Sequence, residues 1–491
     1  MPAETLPIVP LPQLVESRTG VFRLTPDSMI YPATDNAEIR GVCLLFAELM
    51  EPQLGFRMRL QTGELPSAQA GVVEFHISSS IAEGNPEGYE LEIAPDTARI
   101  SSPSPRGLFY GAQTLRQLLN ENGEAPCVRI LDRPRFLWRG FMLDCARHFM
   151  PKELVHRVID LLAALKMNTF HWHLVDDQGW RIEIKKYPRL VEVGAFRDEN
   201  GERCGGYYSQ EDIREVVAYA AARQINVVPE IEMPGHCMSA LAAYPHLSSH
   251  GNPITVSATW GVFKDVYCAG KDEVFTFLEG VLEEVLELFP SPYIHIGGDE
   301  VPKDQWKASA ECQKRIADEG LADETALQAW FIARIARFLS ARGRTMIGWD
   351  EIAEGGAPAG AIVHYWLHDE NGKAALAAGH RIISSPHTFT YLNYPLEMTP
   401  EWPSWMVALP VEKVYAFDPV PDFAKGSESQ IIGAESPLWS EWSPPEKVAG
   451  QLLPRLAALA EVLWSPAASR NFSDFQRRVE RQSFHAGSKR L

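Results

Sequence analysis

Residues 140–174 read GFMLDCARHFMPKELVHRVIDLLAALKMNTFHWHL and contain the pattern that decides the fold. The short apolar run Gly140–Leu143 has the character of a buried strand. After a loop, Glu153–Leu165 is helical in pattern, and Met167–Leu174 returns to a strand-like run. Strand, loop, helix and strand in this order form the unit from which parallel α/β sheets are built.

The same unit recurs along the rest of the chain. Further strands are predicted at Asn226–Ile231, Tyr293–Ile296, Thr345–Gly348, Ala361–Tyr365, Arg381–Ser384 and Gln430–Ala434. Further helices are predicted at Gln210–Ala222, Glu273–Leu288, Glu324–Ala341 and Lys447–Leu463. Eight strands in one continuous region predict an α/β fold, a (β/α)8 TIM barrel. A doubly wound open sheet is the structural alternative.

The chain before residue 134 has a different pattern. Strands are predicted at Gly20–Leu24, Val72–Ile77, Tyr89–Ile93 and Ala98–Ser101, and helices at Ala37–Met50 and Leu108–Leu119. This mixture predicts a small α+β domain. The turn-rich segment Ile130–Pro134 marks the boundary. We therefore predict an N-terminal accessory domain over residues 1–133 and a catalytic barrel domain over residues 134–491.

Composition and charge limit the classes of function. Apolar residues make up 45% and charged residues 22% of the chain, which is a globular balance. A net charge of −18 repels phosphate backbones and anionic lipid, so we expect no nucleic-acid or membrane partner, whereas a neutral sugar is compatible. The seven cysteines show no CxxC spacing, which gives no indication of a zinc site. No signal peptide is visible in the first thirty residues, and the compartment stays open.

Chemically active side chains follow the predicted strands. In a barrel of this type the loops after the strand ends form one rim, and the chemistry takes place there. Aromatic faces cover the apolar face of a pyranose ring, while carboxylates and arginine hydrogen-bond its hydroxyls, so this rim indicates a sugar site. The strand-end residues are Arg147, Asp176, Asp177, His236, Asp299, Glu300, Trp349, Trp366, Tyr391, Trp439 and Glu441.

The sharpest local motif is YIHIGGDE at residues 293–300, where two glycines permit unusual backbone angles before two adjacent carboxylates. Most glycosidases place two carboxyl groups on either side of the bond they cleave. Neighbours in an extended chain point to opposite faces, so Asp299 and Glu300 are not expected to flank one ring. We therefore assign the glycosidic oxygen to Glu300 and a neighbouring sugar substituent to Asp299, with the nucleophile supplied by the substrate. A plain helix cap is the alternative for this pair.

Together these motifs resemble the family-20 glycoside hydrolases, the β-N-acetylhexosaminidases, and the N-terminal domain resembles the family's accessory domain. The matching stretches, in family order, are RGFMLDCARH (139–148), HWHLVDDQGWR (171–181), PEIEMPGH (229–236), HIGGDE (295–300), GWDEI (348–352), YLN (391–393) and LWSE (438–441). The resemblance implies a retaining exo-enzyme that removes terminal β-linked GlcNAc or GalNAc. Its nucleophile is the substrate's acetamido oxygen, which forms an oxazolinium ion. No cofactor and no metal is implied.

The resemblance also implies a role for each matched residue. Glu300 acts as acid and base, and its carboxyl is expected to have a raised pKa, which burial and nearby negative charge favour. Asp299 and Tyr391 orient the acetamido group. Asp176 and His236 form a relay that positions Glu300. The residues implied to bind the sugar are Arg147, Trp349, Trp366, Asn393, Trp439 and Glu441.

One matched position departs from the family pattern. Residue 393 is Asn, where many bacterial members carry Asp and other members carry Asn. An amide contacts a hydroxyl without the charge that strengthens a carboxylate hydrogen bond. The contact to the 4-hydroxyl, and with it the preference between GlcNAc and GalNAc, stays open.

Three other functions stay open on the sequence alone. His171 and His173 lie on one face of a strand, as in metal-dependent barrel hydrolases, although we favour hydrogen-bonded barrel filling as their explanation. A non-catalytic carbohydrate-binding protein would share the aromatic rim but would need no proton donor. A disaccharide-releasing enzyme of the lacto-N-biosidase type would differ in pocket depth.

Overall fold

The apolar runs predicted as strands pair into a closed parallel barrel in the computed structural model, which describes residues 6–34, 36–64 and 69–482. The eighth strand closes against the first, with Glu435 opposite Gly140. The predicted (β/α)8 barrel is confirmed, and the open-sheet alternative is wrong. The eight strands are Trp138–Asp144, Thr169–His173, Asn226–Glu230, Tyr293–His295, Thr345–Trp349, Ile362–Tyr365, Arg381–Ser384 and Ile431–Leu438.

Amphipathic helices cover the outside of the barrel. In Lys152–Ala164 the buried residues include Leu154, Val158, Leu161 and Leu162, which recur at helical spacing and form one apolar face. The other long barrel helices are Gln210–Ala222, Asp272–Leu288, Glu324–Ser340, Asp369–Ala377, Arg455–Trp464 and Phe472–Arg481.

The single helix predicted at Lys447–Leu463 is wrong. Two helices, Val448–Leu452 and Arg455–Trp464, occupy this stretch. The chain turns between them at Pro454, which lacks the N–H that a continuing helix would need at that position. The second helix is buried along its whole length.

The predicted N-terminal α+β domain is confirmed as one seven-stranded sheet with helices Ala37–Leu54 and Pro105–Leu118. Ile130–Asp132, predicted as part of a boundary turn, ends a strand because its buried residues alternate with half-buried ones. Residues 1–5 and 483–491 of the two predicted domains lie outside the described residues. The strand order is Leu14–Arg23, Glu124–Asp132, Tyr89–Ile93, Thr97–Ser102, Val72–Ile77, Met29–Pro32 and Arg59–Leu60.

Buried polar contacts join this sheet domain to the barrel. Arg139 on the first barrel strand forms an ion pair with Glu87, with Nη1 and Oε2 2.8 Å apart. Lys166 Nζ lies 3.2 Å from Asp132 Oδ2, and the indole N–H of Trp464 donates to both oxygens of Asp132. All of these side chains are buried. The barrel therefore supplies a cationic partner to each of two buried acids in the sheet domain.

Short elements fill the connecting loops. Within the described ranges, no helix is long and apolar enough to cross a membrane. The short strands are Val175–Asp176, Gly179–Trp180, Phe196–Glu199 and Glu202–Gly205. The short α-helices are Arg189–Glu192, Met238–Ala243, Asp304–Ala308, Ala310–Asp318, His387–Thr390 and Val411–Ala416. The 3-10 helices are Ile81–Gly84, Pro245–Leu247, Asp350–Ala353, Asp422–Ala424, Glu428–Gln430, Pro445–Lys447 and Ala467–Ser469.

Candidate active site

The turn after the fourth barrel strand brings two carboxylates to one side. The strand ends at His295, and Gly297 and Gly298 adopt φ values of 66° and 94° that favour glycine. Gly297 also cannot carry a side chain, because its Cβ would lie 1.5 Å from Glu232 Oε2. Glu300 itself has a φ of 46°. The chain is therefore sharply turned here, and the expectation that an extended chain separates the two carboxylates is wrong.

The carboxylates of Asp299 and Glu300 both lie close to the imidazole of His236. Its Nε2 atom lies 3.4 Å from Glu300 Oε2 and 3.8 Å from Asp299 Oδ2. On the other side of the ring, Nδ1 donates to Asp177 Oδ2 at 3.1 Å and lies 3.4 Å from Asp176 Oδ1. The predicted Asp176–His236–Glu300 arrangement is thus assembled, with Asp177 as a closer partner of the imidazole than Asp176.

Negative charge around His236 keeps its imidazole protonated. Burial alone would lower the pKa of His236, but the charge of Asp176 and hydrogen bonds to both aspartates and Glu300 raise it well above its ordinary value. Asp176 is held in its ionised form, because the charges of Arg147 and His236 lower its pKa despite burial. His236 also has a φ of 47°, which a non-glycine residue rarely adopts.

The two adjacent carboxyls differ in proton affinity. Burial raises the pKa of Asp299 to about 7, and the charges of Glu300 and Glu230 contribute although His236 opposes them. Burial also acts on Glu300, but the hydrogen bond and charge of His236 outweigh it, so the pKa of Glu300 lies below its ordinary value. The raised pKa expected for Glu300 is therefore wrong for the unliganded protein, because the protonated imidazole faces it directly.

Arg147 crosses from the first strand end to the second. Its Nη2 atom lies 2.9 Å from Asp176 Oδ2, and Nη1 lies 3.5 Å from Asp144 Oδ2. The guanidinium carbon stands 4.8 Å above the ring of Trp439. Burial raises the pKa of Glu441 to about 7, although the charge of Arg147 opposes this. Arg147 and Glu441 are therefore electrostatic neighbours on one side of the rim.

Four aromatic rings form a continuous wall. Trp439 lies 5.7 Å from Trp349 and 6.3 Å from Tyr391, measured between ring centroids. Tyr391 is nearly parallel to Trp366 at 6.1 Å and 14°. Trp349 is buried and donates its indole N–H to Glu230 Oε1 at 2.9 Å. All four rings predicted at the strand ends are thus brought together.

Three polar atoms beside this wall are buried without a hydrogen bond to any described residue. They are Asp299 Oδ1, Asn393 Oδ1 and Glu441 Oε2. An unpaired buried oxygen costs about 1–3 kcal/mol, and such atoms are rare unless a ligand uses them. All three atoms belong to side chains predicted to contact the substrate. A groove of about 410 Å³ opens next to Glu300 and is also lined by Val262, Lys303, Glu351, Trp366 and His368.

The histidines of the second strand point into a hydrogen-bonded barrel interior. His171 Nδ1 lies 2.7 Å from Glu435 Oε1, and His173 contacts both Glu230 and Asp176. His295 Nδ1 lies 2.8 Å from Glu230 Oε1. One face of the second strand thus supplies paired polar groups, as the barrel-filling interpretation of His171 and His173 predicts.

Several groups in this region have metal-ligating atoms within 4.8 Å of one another. The histidine cluster consists of His171, His295 and His364, and a second cluster consists of His236, Asp299 and Glu300. In the first cluster, Nε2 of His364 lies 2.7 Å from Ser385 Oγ and its Nδ1 lies 3.4 Å from His295 Nε2. These contacts explain the packing of the cluster by hydrogen bonds.

Two residues at the site were not assigned a role from the sequence. Asp177 accepts hydrogen bonds from His236 Nδ1 at 3.1 Å and from the Met238 N–H at 3.0 Å. Asp144 accepts from the backbone N–H groups of Ala146 and Arg147, and so shapes the loop that carries Arg147. Each is a carboxylate at a strand end, which is the signal that could have indicated them.

A parallel barrel whose rim combines paired carboxylates, a buried arginine and an aromatic wall defines a glycoside hydrolase. Models of two protein families match the chain: the "Glycosyl hydrolase family 20, catalytic domain" at residues 136–467 and the "Glycosyl hydrolase family 20, domain 2" at residues 5–133. The chain belongs to glycosyl hydrolase family 20.

Similar proteins carry consistent names. A β-hexosaminidase of Porphyromonas gingivalis is 42% identical over 96% of this chain, which spans 62% of that relative. A β-hexosaminidase of Vibrio furnissii is 35% identical over 93% of this chain and 76% of the relative. The solved β-N-acetylhexosaminidase from Bacteroides fragilis matches with a TM-score of 0.86 and 33% identity over 98% of this chain and 95% of its own. A Streptomyces plicatus β-hexosaminidase mutant in complex with GlcNAc matches with a TM-score of 0.86 and 31% identity, over 99% and 97%.

Proposed function

We propose that this chain is an exo-acting, retaining β-N-acetylhexosaminidase, which removes terminal β-linked GlcNAc or GalNAc with the substrate's acetamido group as nucleophile. The observation that supports this most is the meeting of Asp299 and Glu300 at one imidazole, beside a pocket whose aromatic wall includes Tyr391. Relatives named β-hexosaminidase and the GlcNAc complexes of similar structures support the same substrate.

The first step is attack by the acetamido oxygen on the anomeric carbon, which breaks the bond to the leaving oxygen. Asp299 accepts from the acetamido N–H through its unpaired Oδ1 and stabilises the positive charge that develops. Tyr391 donates to the acetamido oxygen. A nucleophile held within the substrate acts at an effective molarity of about 10⁵ M or more, so accurate orientation contributes most of the rate.

The leaving oxygen takes its proton from Glu300. In the unliganded protein this proton resides on the imidazole of His236 and not on Glu300, because His236 is the stronger base of the pair. Substrate covers the half-exposed Glu300 carboxylate and excludes water, which favours transfer of the proton from Nε2 to Oε2 and on to the leaving oxygen. Asp176 and Asp177 stabilise the imidazole on its other side.

Water then opens the oxazolinium ion. Glu300, now ionised, removes a proton from this water as its oxygen bonds to the anomeric carbon. The carbon is attacked twice, from opposite faces, so the product keeps the β configuration. The sugar hydroxyls bind Arg147, Asn393 and Glu441, while Trp349, Trp366 and Trp439 cover the apolar parts of the ring and the acetamido methyl.

We also propose a division of labour along the chain. Residues 134–491 form the catalytic domain, since every residue assigned above lies in this part. Residues 1–133 form an accessory domain that supports the barrel through Glu87 and Asp132.

Hydrolysis of nitrophenyl β-GlcNAc, β-GalNAc and β-glucoside, measured side by side, tests this function. We expect turnover of one or both acetamido sugars, a nearly inert glucoside, and competitive inhibition by an acetamido-derived thiazoline. Activity should survive exhaustive chelation, which serves as the control for a metal-dependent reaction. Comparable rates on glucoside and GlcNAc would refute substrate assistance. Release of a disaccharide with no action on single sugars would indicate a lacto-N-biosidase instead.

A further inference from the structure

The motif Gly348–Ile352 contains two buried acids that the proposed reaction does not use. Asp350 and Glu351 directly follow Trp349 and begin the 3-10 helix Asp350–Ala353. Both side chains are buried. Buried acids need a compensating interaction, so each is expected to have a structural or chemical task.

Asp350 holds the main chain after the sixth barrel strand. Its Oδ2 atom accepts from the backbone N–H groups of Trp366, Leu367 and His368, at 2.9, 2.9 and 3.1 Å. Its Oδ1 atom accepts from Asn371 Nδ2 at 3.2 Å. Four hydrogen bonds to one carboxylate fix the turn that carries Trp366, which accounts fully for Asp350.

Glu351 holds the side chain of the same tryptophan. Its Oε2 atom accepts from the indole N–H of Trp366 at 3.0 Å. The plane of this indole is nearly parallel to the ring of Tyr391, which lies at the acetamido end of the proposed pocket. Glu351 also lines the groove beside Glu300. The Glu351 carboxyl therefore contacts the outer side of the aromatic wall. Within the described residues, it forms no hydrogen bond with Asp299 or Glu300.

The surroundings of Glu351 favour its uncharged form. Burial and the negative charges of Asp299 and Asp350 raise its pKa well above the ordinary value. The other charged or titratable groups that line the same groove are Glu300, Lys303, Glu354 and His368. A second negative charge here would oppose ionisation of Asp299, which the proposed reaction needs in its charged form. An uncharged acid avoids this conflict and still offers an oxygen to the indole.

We infer that Glu351 is a positioning residue that fixes the indole of Trp366 against Tyr391 and so shapes the acetamido pocket. This inference rests on the proposed function. Loss of the oxygen that accepts from Trp366 would free the indole to rotate, so the acetamido group would be bound less tightly. The main-chain turn would persist, because Asp350 holds it independently.

The test compares Glu351→Gln with Glu351→Met in the full chain. Glutamine keeps an accepting oxygen without a charge, whereas methionine keeps the length and removes the oxygen. For nitrophenyl β-GlcNAc at pH 6 we expect Glu351→Gln to stay within about threefold of the parent in kcat/KM. For Glu351→Met we expect KM to rise about tenfold, the value of one buried hydrogen bond, with a smaller change in kcat. Thermal unfolding of both variants controls for folding.

Two further measurements make the result specific. In a Trp366→Phe background the donor is absent, so Glu351→Met should add less than about twofold. The acid limb of the kcat/KM profile of Glu351→Gln should coincide with that of the parent, because the surroundings of the native side chain favour its uncharged form. Equal damage from Gln and Met, an additive effect in the Phe background, or a displaced acid limb in Glu351→Gln would each overturn the inference.

Two outcomes separate this inference from the proposed function. Failure of the parent enzyme to act on any acetamido sugar would refute the function itself, before any variant is compared. If Glu351→Met does not fold, the Trp366→Phe variant is compared with the parent instead. It should then show the same rise in KM with little change in kcat, and an unchanged KM would count against the inference.

Discussion

The polar groups around Glu230 in the barrel interior and three side chains at the rim differ in how they are paired. In the interior, one carboxylate, Glu230, contacts His171, His173, His295 and the indole of Trp349. At the rim, one oxygen of each of three side chains is buried but has no hydrogen bond within the part of the chain that is described, namely in Asp299, Asn393 and Glu441. Folding alone would select against such atoms. We therefore interpret the Glu230 cluster as stabilising the fold and the three rim oxygens as available to a ligand.

Proton affinity follows the same division. The charges of His295, His173 and His171 outweigh burial and lower the pKa of Glu230 well below its ordinary value. Burial raises the pKa of Asp299 and of Glu441 to about 7, because it outweighs the opposing charges of His236 and Arg147. Glu230 is therefore charged at neutral pH, whereas Asp299 and Glu441 are close to their titration point.

The largest expected effect is on catalysis at the rim. Glu300→Gln removes proton donation, which is worth about 10²–10⁴-fold, but keeps the substrate's nucleophile. The loss should be severe with chitobiose and much smaller with dinitrophenyl glycosides, whose leaving group departs unprotonated. Asp299→Asn should lose activity almost equally across an aryl series, because every substrate needs its acetamido group oriented. Kinetics of both variants over that series are the measurement, and the reverse pattern would exchange the two roles.

The next effect is on stability in the interior. Glu230→Leu leaves three histidines and an indole without their shared acceptor, and breaking a buried charged pair costs about 3–5 kcal/mol. We expect the free energy of unfolding in urea to fall by that amount. Asn393→Ala at the rim is the matched control. It should change the free energy of unfolding little, because the side-chain oxygen of Asn393 forms no hydrogen bond within the described residues. Equal losses in the two variants would remove the distinction between interior and rim.

A smaller effect concerns pH. The pKa of Glu441 is raised in the folded protein, so its stabilising contribution is complete below about pH 4.5 and is lost as the pH rises through about 7. This amounts to at most about 3 kcal/mol, since one pKa unit is about 1.4 kcal/mol. Glu441→Gln should therefore be more stable relative to the parent at pH 8 than at pH 4.5. Urea unfolding of both proteins at the two pH values measures this difference in stability. A difference that does not change with pH would mean that Glu441 titrates normally.

The smallest effect concerns the aromatic wall. Trp439→Ala removes a half-buried ring that we propose contacts the ligand, and ring stacking is worth about 1 kcal/mol beyond buried area. We expect roughly a tenfold rise in KM with an intact fold. Trp349→Phe is the comparison within the wall: it keeps an aromatic ring but loses the hydrogen bond to Glu230, so it should cost mainly stability. A Trp439→Ala enzyme with unchanged KM would place this ring outside the site.

The sequence was most informative where local pattern and global fold agree. All eight barrel strands are short apolar runs followed by turn residues, and each was predicted within a few residues of its observed position. The rim residues followed from the strands, because strand ends meet at one edge of a barrel. Pro454 was the missed signal in the helix predicted at Lys447–Leu463.

The electrostatic state of the site could not be predicted in the same way. It depends on the backbone turn at Gly297 and Gly298 and on the positive φ of Glu300, which together direct both acids at His236. Sequence neighbours do not reveal that an imidazole from another strand end will face one carboxylate and reverse the direction of its pKa shift. The choice between Asp176 and Asp177 as partner of His236 likewise depends on side-chain directions that adjacent letters do not encode.

The ion pairs between the sheet domain and the barrel have a consequence for synthesis on the ribosome. Asp132 belongs to the sheet domain, which is made before the barrel, and accepts there from the Tyr89 hydroxyl and the Gln13 N–H. Its partners Lys166 and Trp464 follow 34 and 332 residues later. Until both partners have been made, the carboxylate lacks the ammonium and indole groups that pair it in the folded protein, and burying a charge without them is costly. The contacts between the two domains are therefore complete only after the helix that carries Trp464 has emerged, so a domain made before the barrel is completed by one of the last barrel helices.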